Sequence, residues 1–563
     1  MTDALAFDYV IVGGGSAGCV LANRLSADPG TTVALLEAGG DGTAALLRVP
    51  VAAAATLRTG WFNWRFESVP QPGLNGRTVY QPRGKALGGS SAINAMVYTR
   101  GHRFDYDHWA ALGNPGWGYD DVLPYFLRAE HNERLHDRFH GQGGPLNVAD
   151  LRTDNPWHAR LLAAAREAGF PVNDDFNGAE QEGIGPYQVT QKDGERCSVA
   201  HAYLHPVLAD RPQLQVFART HARRVRLDGK RATGVDVVQD GRTFTVNARR
   251  EVVLCCGALQ TPQLLLVSGI GDGAYLQKSG IRLRHHLPGV GRNLQDHLDF
   301  TFGHHAPDTD LFGFTPPAWG PLWRAFRRYR GERRGRFTSN FAEVGGFLRL
   351  SPEAPAPEVQ LHLVLALVDD HARRLHLRHG FSCHVCVLRP KSRGTVTVRS
   401  DDMHDPPVID PRYLEHPDDI EQMVDGYHLA RRLLAAPSLA SRLGRDVFTA
   451  GVADDAAIRE VIHARADTLY HPAGTCRMGS DDEAVVDPAL RVRGLAGLRV
   501  VNASVMPTLV GGNTNATVVM VAEKAADLVL ARPAPSHGQT TGQAAVPADD
   551  TVSPATARHA PAG

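Results

Sequence analysis

The stretch FDYVIVGGGSAGCVLANRLSADPGTTVALLE, residues 7–37, decides the fold. It predicts a strand, a glycine-rich turn, a helix and a second strand that ends at Glu37. Gly13, Gly15 and Gly18 fit the GxGxxG pattern, whose glycines serve a tight turn, close approach to a pyrophosphate and packing of helix on strand. The start of such a helix attracts phosphates. A carboxylate at Glu37 is placed to accept from ribose hydroxyls. The unit therefore predicts dinucleotide binding, with a purely structural turn as the alternative.

Composition narrows the class of protein further. The chain has 563 residues, with 60 Lys and Arg against 60 Asp and Glu. This balance argues against a nucleic-acid binder that works through bulk charge. Glycine is in excess, at 57 residues, and it shows no repeat period, so we expect it where the backbone turns sharply or approaches a ligand. No apolar run is long enough for a membrane span, and no secretory signal is visible.

Two later glycine clusters extend the pattern. The first is residues 84–94, and the second is residues 257–271, which follow an apolar strand at residues 252–256. Pro262 suits the first turn of a helix, so the second cluster predicts another strand, turn and helix that could face a phosphate. Each cluster could instead be only a tight connection. Cys383 and Cys386 form a CxxC pair without a second pair nearby, which favours core packing over a metal or redox site.

The middle of the chain, about residues 308–460, has a different pattern. Apolar runs alternate with polar connections, which predicts an antiparallel sheet. Within it, the segment from Arg324 to Arg336 interleaves arginines with aromatic residues. Such a segment could contact an anionic membrane surface weakly, guard a substrate entrance, or simply be a solvated helix face.

The C-terminal part carries the candidate chemistry. Tyr470 and His471 open an irregular, glycine-containing segment, and Asn502 and Asn515 lie in two loops further on. Histidine suits proton transfer near neutral pH. Asparagine both donates and accepts, so it can hold a hydroxyl oxygen without competing for its proton. Residues 533–563 are rich in Pro, Ala, Ser, Thr and Gly, which predicts a disordered tail.

Taken together, these motifs resemble the glucose–methanol–choline (GMC) flavoprotein oxidoreductases over residues 7–530, and most of all their choline dehydrogenase-like and alcohol dehydrogenase members. The resemblance implies an α/β fold, in which a Rossmann-type FAD-binding domain is joined to a substrate domain built on an antiparallel sheet. The domains it implies are residues 1–160, 208–304 and 462–532 for FAD, and residues 161–207 and 305–461 for the substrate.

The resemblance also implies roles for single residues. His471 would be the catalytic base and Asn515 its partner, while Glu343 and Tyr470 would belong to the substrate pocket. The implied cofactor-binding residues are Gly13, Gly15, Ser16, Gly18, Glu37, Gly88, Gly89, Ser91, Asn94 and Asn502. Some members attach FAD through a histidine just before the residue that matches Asn94. Here that residue is Ile93, so we predict noncovalent FAD and no metal.

The reaction implied is oxidation of a primary alcohol to an aldehyde, with proton abstraction at His471 and hydride transfer to flavin N5. Electrons would pass to a quinone-type acceptor or another carrier. The alternatives are an alcohol oxidase that uses O2, a choline dehydrogenase, or a hydroxynitrile-lyase-type enzyme with structural FAD. Choline is disfavoured because residues 51–55 are nearly all alanine, where choline-oxidising relatives place aromatic residues that surround the cation. We expect a cytoplasmic protein, with peripheral contact at the inner face of the membrane as an open alternative.

Overall fold

The computed structural model describes residues 5–374 and 376–535. Most of the segment predicted to be a disordered tail, from residue 536 on, lies outside the described residues.

Two large sheets organise the described chain. Their strands are, in chain order, β1 (Ala6–Val12), β2 (Val33–Leu36), β3 (Gly183–Pro186), β4 (Leu214–Phe217), β5 (Thr220–Asp228), β6 (Arg231–Gln239), β7 (Arg242–Leu254), β8 (Leu298–His305), β9 (Ala342–Leu348), β10 (Val359–Val364), β11 (Gly380–Val387), β12 (Asp467–Thr468) and β13 (Leu498–Val500).

The first sheet has the strand order β4-β2-β1-β7-β6-β5, with β13 added alongside β7. Strands β4, β2, β1, β7 and β13 run parallel, and β6 and β5 extend the sheet as an antiparallel pair. Val12 is paired with both Leu36 and Leu254, and Leu254 with Val500. Because these strands end level with one another, the loops that follow them meet at one edge, where α/β sheets bind ligands.

The second sheet is antiparallel throughout, with the order β12-β8-β11-β10-β9-β3. Side chains alternate between its faces. On β10, Leu361 and Leu363 pack into an apolar cluster beneath two helices, while His362 and Val364 face the other way, into a cavity. Cys383 and Cys386 are both buried on β11, in separate apolar clusters, and so pack as core residues.

Helices cover both sheets. The longer ones are α1 (Ser16–Leu25), α2 (Arg103–Ala111), α3 (Tyr119–Ala129), α4 (Trp157–Glu167), α5 (Gly257–Val267), α6 (Trp319–Glu332), α7 (Pro417–Leu434), α8 (Asp455–Arg465) and α9 (Asn515–Leu530). Helices α1 and α9 pack beside each other on the first sheet. A buried carboxylate, Glu523 on α9, joins them by accepting from Arg24 on α1 at 2.8 Å. In the described part of the chain, no helix combines the length and apolar character needed to cross a bilayer.

The α/β class and the antiparallel second sheet agree with the sequence-based expectation. The predicted domain limits cut across this sheet at two places. Strand β8 pairs with β11 in the second sheet, although residues up to 304 were assigned to the FAD-binding domain. Strand β12 pairs with β8 in the same second sheet, although residues 462–532 were also assigned to the FAD-binding domain.

Candidate active site

One large cavity lies between the two sheets, with a volume of about 760 Å³. This is near the upper end of the range for small-molecule and cofactor sites. At one end it is lined by the loops after β1 and β2, including Gly13 and Glu37. At the other end it reaches His362 and His384 on the face of the second sheet. The cavity therefore connects the predicted dinucleotide-binding loops with the predicted substrate domain.

The starts of three helices line this cavity: Ser16 of α1, Gly257 of α5 and Asn515 of α9. In the described part of the chain, the residue that caps each of these helices makes no side-chain hydrogen bond to its first N–H groups. Helix N-termini carry a partial positive charge and unsatisfied donors. This end of the cavity is therefore suited to a phosphate-bearing ligand.

The glycine clusters meet at backbone distance. A Cβ atom on Gly89 would lie 2.8 Å from the Cα atom of Gly15, and a Cβ atom on Gly84 would lie 2.1 Å from the carbonyl oxygen of Gly89. Gly89 also has a left-handed φ of +52°. A side chain at Gly89 would therefore force the two loops apart, and one at Gly84 would distort the fold of its own loop.

Glu37 is buried at the end of β2, and its carboxylate accepts from the N–H groups of Gly14 and Gly39 at 2.9 and 2.7 Å. Burial raises the pKa of this carboxyl to about 7, although the two N–H groups act in the opposite direction. The side chain lines the cavity, which is the position needed to accept from a ribose.

Most of the predicted cofactor residues line the cavity, but three do not. Gly13, Gly15, Ser16, Glu37, Gly89, Asn94 and Asn502 line it. Gly18 packs against the backbone instead, because a Cβ atom there would lie 2.0 Å from the carbonyl oxygen of Gly13. Ser91 donates to the carbonyl of Gly88 at 2.6 Å and accepts from Val199 N–H. Gly18, Gly88 and Ser91 thus shape the loops and are not part of the lining.

His471 reaches the cavity from the loop after β12. Its backbone N–H donates to the carboxylate of Asp296 at 2.8 Å, and its Nδ1 lies 2.9 Å from Nδ1 of His297. Burial holds the pKa of His471 well below its usual value, and the neighbouring His297, His362 and Arg83 lower it further. The imidazole is therefore neutral at ordinary pH, as a proton acceptor must be.

The expected pairing of His471 with Asn515 is not what the structure shows. Asn515 begins helix α9, and its Oδ1 accepts from the hydroxyl of Ser16 at 2.7 Å. It is Asn513 whose Nδ2 lies 3.4 Å from Nε2 of His471. Asn513 lies before the helix in an irregular turn, so its side chain points elsewhere than that of the first helical residue. Asn513 is thus the neighbour of His471, and Asn515 joins the phosphate-facing loop.

The two predicted substrate residues differ in position. Tyr470 lines the cavity, and its hydroxyl lies 2.7 Å from Nδ1 of His371. Glu343 faces away from the cavity, where its carboxylate accepts from Thr153 at 2.7 Å and lies 2.5 Å from Nε2 of His158 on α4. The register of β9 shifts between Ala342 and Val344, and at this irregularity Glu343 lies on the helix-covered face of the sheet, as Val344 does. It does not contact a ligand in the cavity.

Sequence reasoning missed four residues around His471: Asp296 and His297 in the loop before β8, Gln360 on β10, and Asn513. The adjacent acid and histidine at 296 and 297 are a signal that sequence could have supplied. Asn513 and Asn515 lie two residues apart in the same segment, and only the geometry shows which of them contacts His471.

The remainder of the cavity is largely apolar. Beyond His471 the lining includes Phe312, Leu322, Phe341, Val364, Ala366 and Leu469. Among the described lining residues, Glu37 is the one carboxylate, and it lies at the opposite end. Arg83, which is half-buried, also lines the cavity and donates to the carbonyl of Tyr470 at 2.7 Å. Arg58 and Arg374 line the cavity as well, so its lining offers an apolar surface, three arginines and the neutral imidazole of His471.

These features fit an FAD molecule. Three helix starts and a side-chain-free cradle suit its pyrophosphate, and the buried carboxylate of Glu37 suits its ribose. FAD would extend from Glu37 past Gly15 and Gly89 toward Asn94 and His471, all of which line the same cavity.

Comparison with known proteins agrees with this site. The N-terminal and C-terminal models of the GMC oxidoreductase family match residues 7–299 and 390–522. An alcohol dehydrogenase [acceptor] from Pseudomonas putida is 46% identical, covering 93% of this chain and 96% of that protein. Human mitochondrial choline dehydrogenase is 42% identical, covering 94% and 90%. The crystal structure of pyridoxine 4-oxidase from Mesorbium loti superposes with a TM-score of 0.83 at 33% identity, covering 92% and 98%.

The family match spans more than half of the chain, and the similarity to these relatives extends over nearly all of it. Its members bind FAD, and the cavity described above has the features needed to hold it. The chain therefore belongs to the GMC oxidoreductase family and is an FAD-dependent oxidoreductase that acts on the CH–OH group of alcohols.

Proposed function

We propose that this enzyme oxidises an apolar primary alcohol to the aldehyde, with His471 as the base that takes the hydroxyl proton. The observation that carries the proposal is a neutral, half-buried His471 whose Nε2 lies 3.4 Å from Nδ2 of Asn513, at an apolar end of the cavity. FAD, when bound, supplies the hydride acceptor.

The roles of the two side chains follow from their chemistry. The alcohol hydroxyl donates its proton toward Nε2 of His471, while Nδ2 of Asn513 donates to the hydroxyl oxygen. As the proton moves, negative charge builds on that oxygen. Asn513 and the imidazolium stabilise this charge in a site that excludes water. Asp296 accepts the backbone N–H of His471 and so fixes the ring over the substrate position.

The lining favours a neutral alcohol over choline. A quaternary ammonium group is held by carboxylates or aromatic faces. Glu343, the carboxylate expected to serve, is directed toward His158 and Thr153. The half-buried cation Arg83 lies beside Tyr470 instead. A substrate cation would therefore meet like charge, whereas an aliphatic or aromatic chain would pack on Phe312, Phe341 and Val364.

Ile93, a buried residue that lines the cavity, supports noncovalent FAD because its side chain cannot form the bond that a histidine forms there. For the electron acceptor we favour a quinone-type molecule or another carrier over O2. The similarity to an alcohol dehydrogenase [acceptor] supports this choice of electron acceptor. The similarity to pyridoxine 4-oxidase, which has the same architecture, keeps O2 as the alternative acceptor.

Helix α6 supports the peripheral membrane contact. Trp319 and Trp323 are 66% and 63% exposed, and Arg324 and Arg327 are exposed beside them. Leu322 on the same helix lines the cavity. Exposed tryptophan next to arginine is typical of helices that lie in the headgroup region of an anionic bilayer. An apolar alcohol and a quinone would then enter from the lipid.

Two experiments test these proposals. Anaerobic addition of an apolar primary alcohol should bleach the flavin of the purified enzyme, and choline at the same concentration should not. A flavin that choline reduces faster than every alcohol in a panel would contradict the substrate class. Peroxide formed under air at the full rate of turnover, without added dye, would indicate the oxidase.

For the membrane contact, Arg324→Gln with Arg327→Gln should weaken binding to anionic phospholipid vesicles by roughly 30-fold, taking about 1 kcal/mol for each arginine. The matched control, Arg282→Gln with Arg284→Gln, removes two exposed arginines outside the helix and should bind as the unmodified enzyme does. Equal binding by both double variants would exclude helix α6 as the contact.

A further inference from the structure

Two hydrogen-bond chains end at His471, and each begins at a backbone carbonyl. In the first, Nε2 of His297 lies 3.0 Å from the carbonyl oxygen of Leu388. A carbonyl oxygen only accepts, so Nε2 of His297 carries a proton. Burial lowers the pKa of His297 to about 4, so the ring is neutral and its Nδ1 has a lone pair. Nδ1 of His471, 2.9 Å away, must then be the donor.

The second chain begins at the carbonyl oxygen of Leu361, to which the hydroxyl of Tyr187 donates at 2.7 Å. Because that proton is used, the Tyr187 oxygen accepts from Gln360, whose Nε2 lies 3.2 Å away. The same Nε2 is 3.0 Å from Oδ1 of Asn513. Gln360 therefore orients the amide of Asn513, with its oxygen toward Gln360 and its NH2 group toward His471.

Thr99 supports this orientation independently. Its hydroxyl oxygen accepts from the backbone N–H of Asn513 at 2.9 Å and donates to Oδ1 of the same residue at 3.3 Å. Both partners of Asn513 Oδ1 are thus donors. The NH2 group that faces His471 requires an acceptor, which is an unprotonated Nε2.

We propose that His297 and Gln360 are positioning residues that together hold the proton of His471 on Nδ1 and its lone pair on Nε2. This inference rests on the catalytic role proposed for His471. Neither residue touches the alcohol. Each acts through its neighbour, so that His471 accepts the hydroxyl proton on Nε2 without first changing its tautomer. After the transfer, Nδ1–H of His471 still donates to the neutral His297.

The test compares two substitutions at one position. In His297→Asn the amide oxygen can take the place of Nδ1 and accept from His471, whereas His297→Leu fills the space with no acceptor. We expect the flavin reduction rate constant at saturating alcohol to fall at least ~10-fold in the Leu variant and by less than about 3-fold in the Asn variant, with little change in KM in either. Equal rates in both variants would overturn the role of His297.

Gln360→Met removes the donor to Asn513 at almost constant volume. It gives a second test if His297→Leu fails to fold, and we expect a loss of roughly 3- to 10-fold in the same rate constant. An unchanged rate in this variant would overturn the role of Gln360.

A readout independent of turnover is ¹⁵N NMR of the holoenzyme labelled at histidine, with the His471 signal assigned from its absence in His471→Gln. We expect the Nδ1–H tautomer in the unmodified enzyme and in His297→Asn, and a mixture of tautomers in His297→Leu. A resting Nε2–H tautomer would refute the proposal whatever the rates. Unimpaired turnover in His471→Gln, with the Nδ1–H tautomer present in the unmodified enzyme, would instead refute the catalytic role of His471 alone.

Discussion

Asn513→Ala and Asn515→Ala should affect different steps, although the two residues are separated by one position. Asn513 offers its amide to Nε2 of His471 at 3.4 Å, so its loss removes a buried hydrogen bond at the reacting hydroxyl. Such a bond contributes about 1–3 kcal/mol when its partner is left unsatisfied. At 1.36 kcal/mol for each tenfold, flavin reduction should slow roughly 5- to 150-fold. Binding of FAD should be little changed.

Asn515 contacts Ser16 instead, at 2.7 Å, between the starts of two helices that face the phosphate end of the cavity. Removing one hydrogen bond of about 1 kcal/mol there should weaken FAD binding by about 5-fold. Once the variant is saturated with FAD, its flavin reduction rate should be that of the unmodified enzyme.

The assay for both variants is anaerobic stopped-flow reduction of the bound flavin, together with titration of FAD into protein from which it has been removed. The matched pair controls for general damage, because both variants truncate an asparagine to alanine in one loop. The reverse pattern, with slow reduction in Asn515→Ala and weak FAD binding in Asn513→Ala, would refute the positions assigned to the two amides.

Three further substitutions probe other parts of the site. His471→Ala should retain FAD and its colour but slow flavin reduction by at least ~10², the scale of a general base; a normal stopped-flow rate would exclude that role. Burial raises the pKa of Glu37 to about 7 in the free protein, and ribose hydroxyls would favour the ionised carboxylate, so FAD binding should release a proton and should weaken as the pH falls through 7. Flavin fluorescence titrations of Glu37→Gln should show no such pH dependence. An unchanged pH dependence in this variant would point to another titrating group. Gly89→Ala places a Cβ atom 2.8 Å from Gly15 at a φ of +52°, whereas Gly280→Ala, at a φ of +71°, meets nothing within 4 Å. Backbone strain should lower the free energy of unfolding by ~1–2 kcal/mol in both variants, and thermal unfolding of the FAD-bound protein should show a larger decrease for Gly89→Ala. Equal decreases in the two variants would argue against the close approach of the two loops.

Much of the architecture could be predicted from the sequence. The run from residues 7 to 37 sets two strands, the turn between them and the carboxylate at Glu37 within one continuous segment. Such local signals survive folding, because a strand, a tight glycine turn and a helix are each fixed by neighbouring residues. The alternation of apolar and polar runs in the middle of the chain predicted the antiparallel sheet for the same reason.

The candidate site was predictable only in part. His471 was a candidate from its loop and from the family resemblance, but the asparagine next to it was placed two residues too late, at Asn515. Where a chain passes from an irregular turn into a helix, the direction of each side chain depends on backbone angles that residue types do not specify. Glu343 shows the same limit on a strand, where one residue of offset exchanges the cavity face for the helix-covered face.

The sequence by itself determined the fold class and predicted the dinucleotide-binding turn, because each depends on a short continuous pattern. The catalytic role of His471 came from the family resemblance and stays a prediction. Only the tertiary structure decided which asparagine meets His471, that Glu343 leaves the cavity, and that His297 and Gln360 contact His471 and Asn513 from behind. The physical reason is that these contacts join segments 42 to 190 residues apart, so the packing of distant segments sets them. A hydrogen bond needs its atoms aligned within a few tenths of an ångström, and local sequence does not set such an alignment between distant segments.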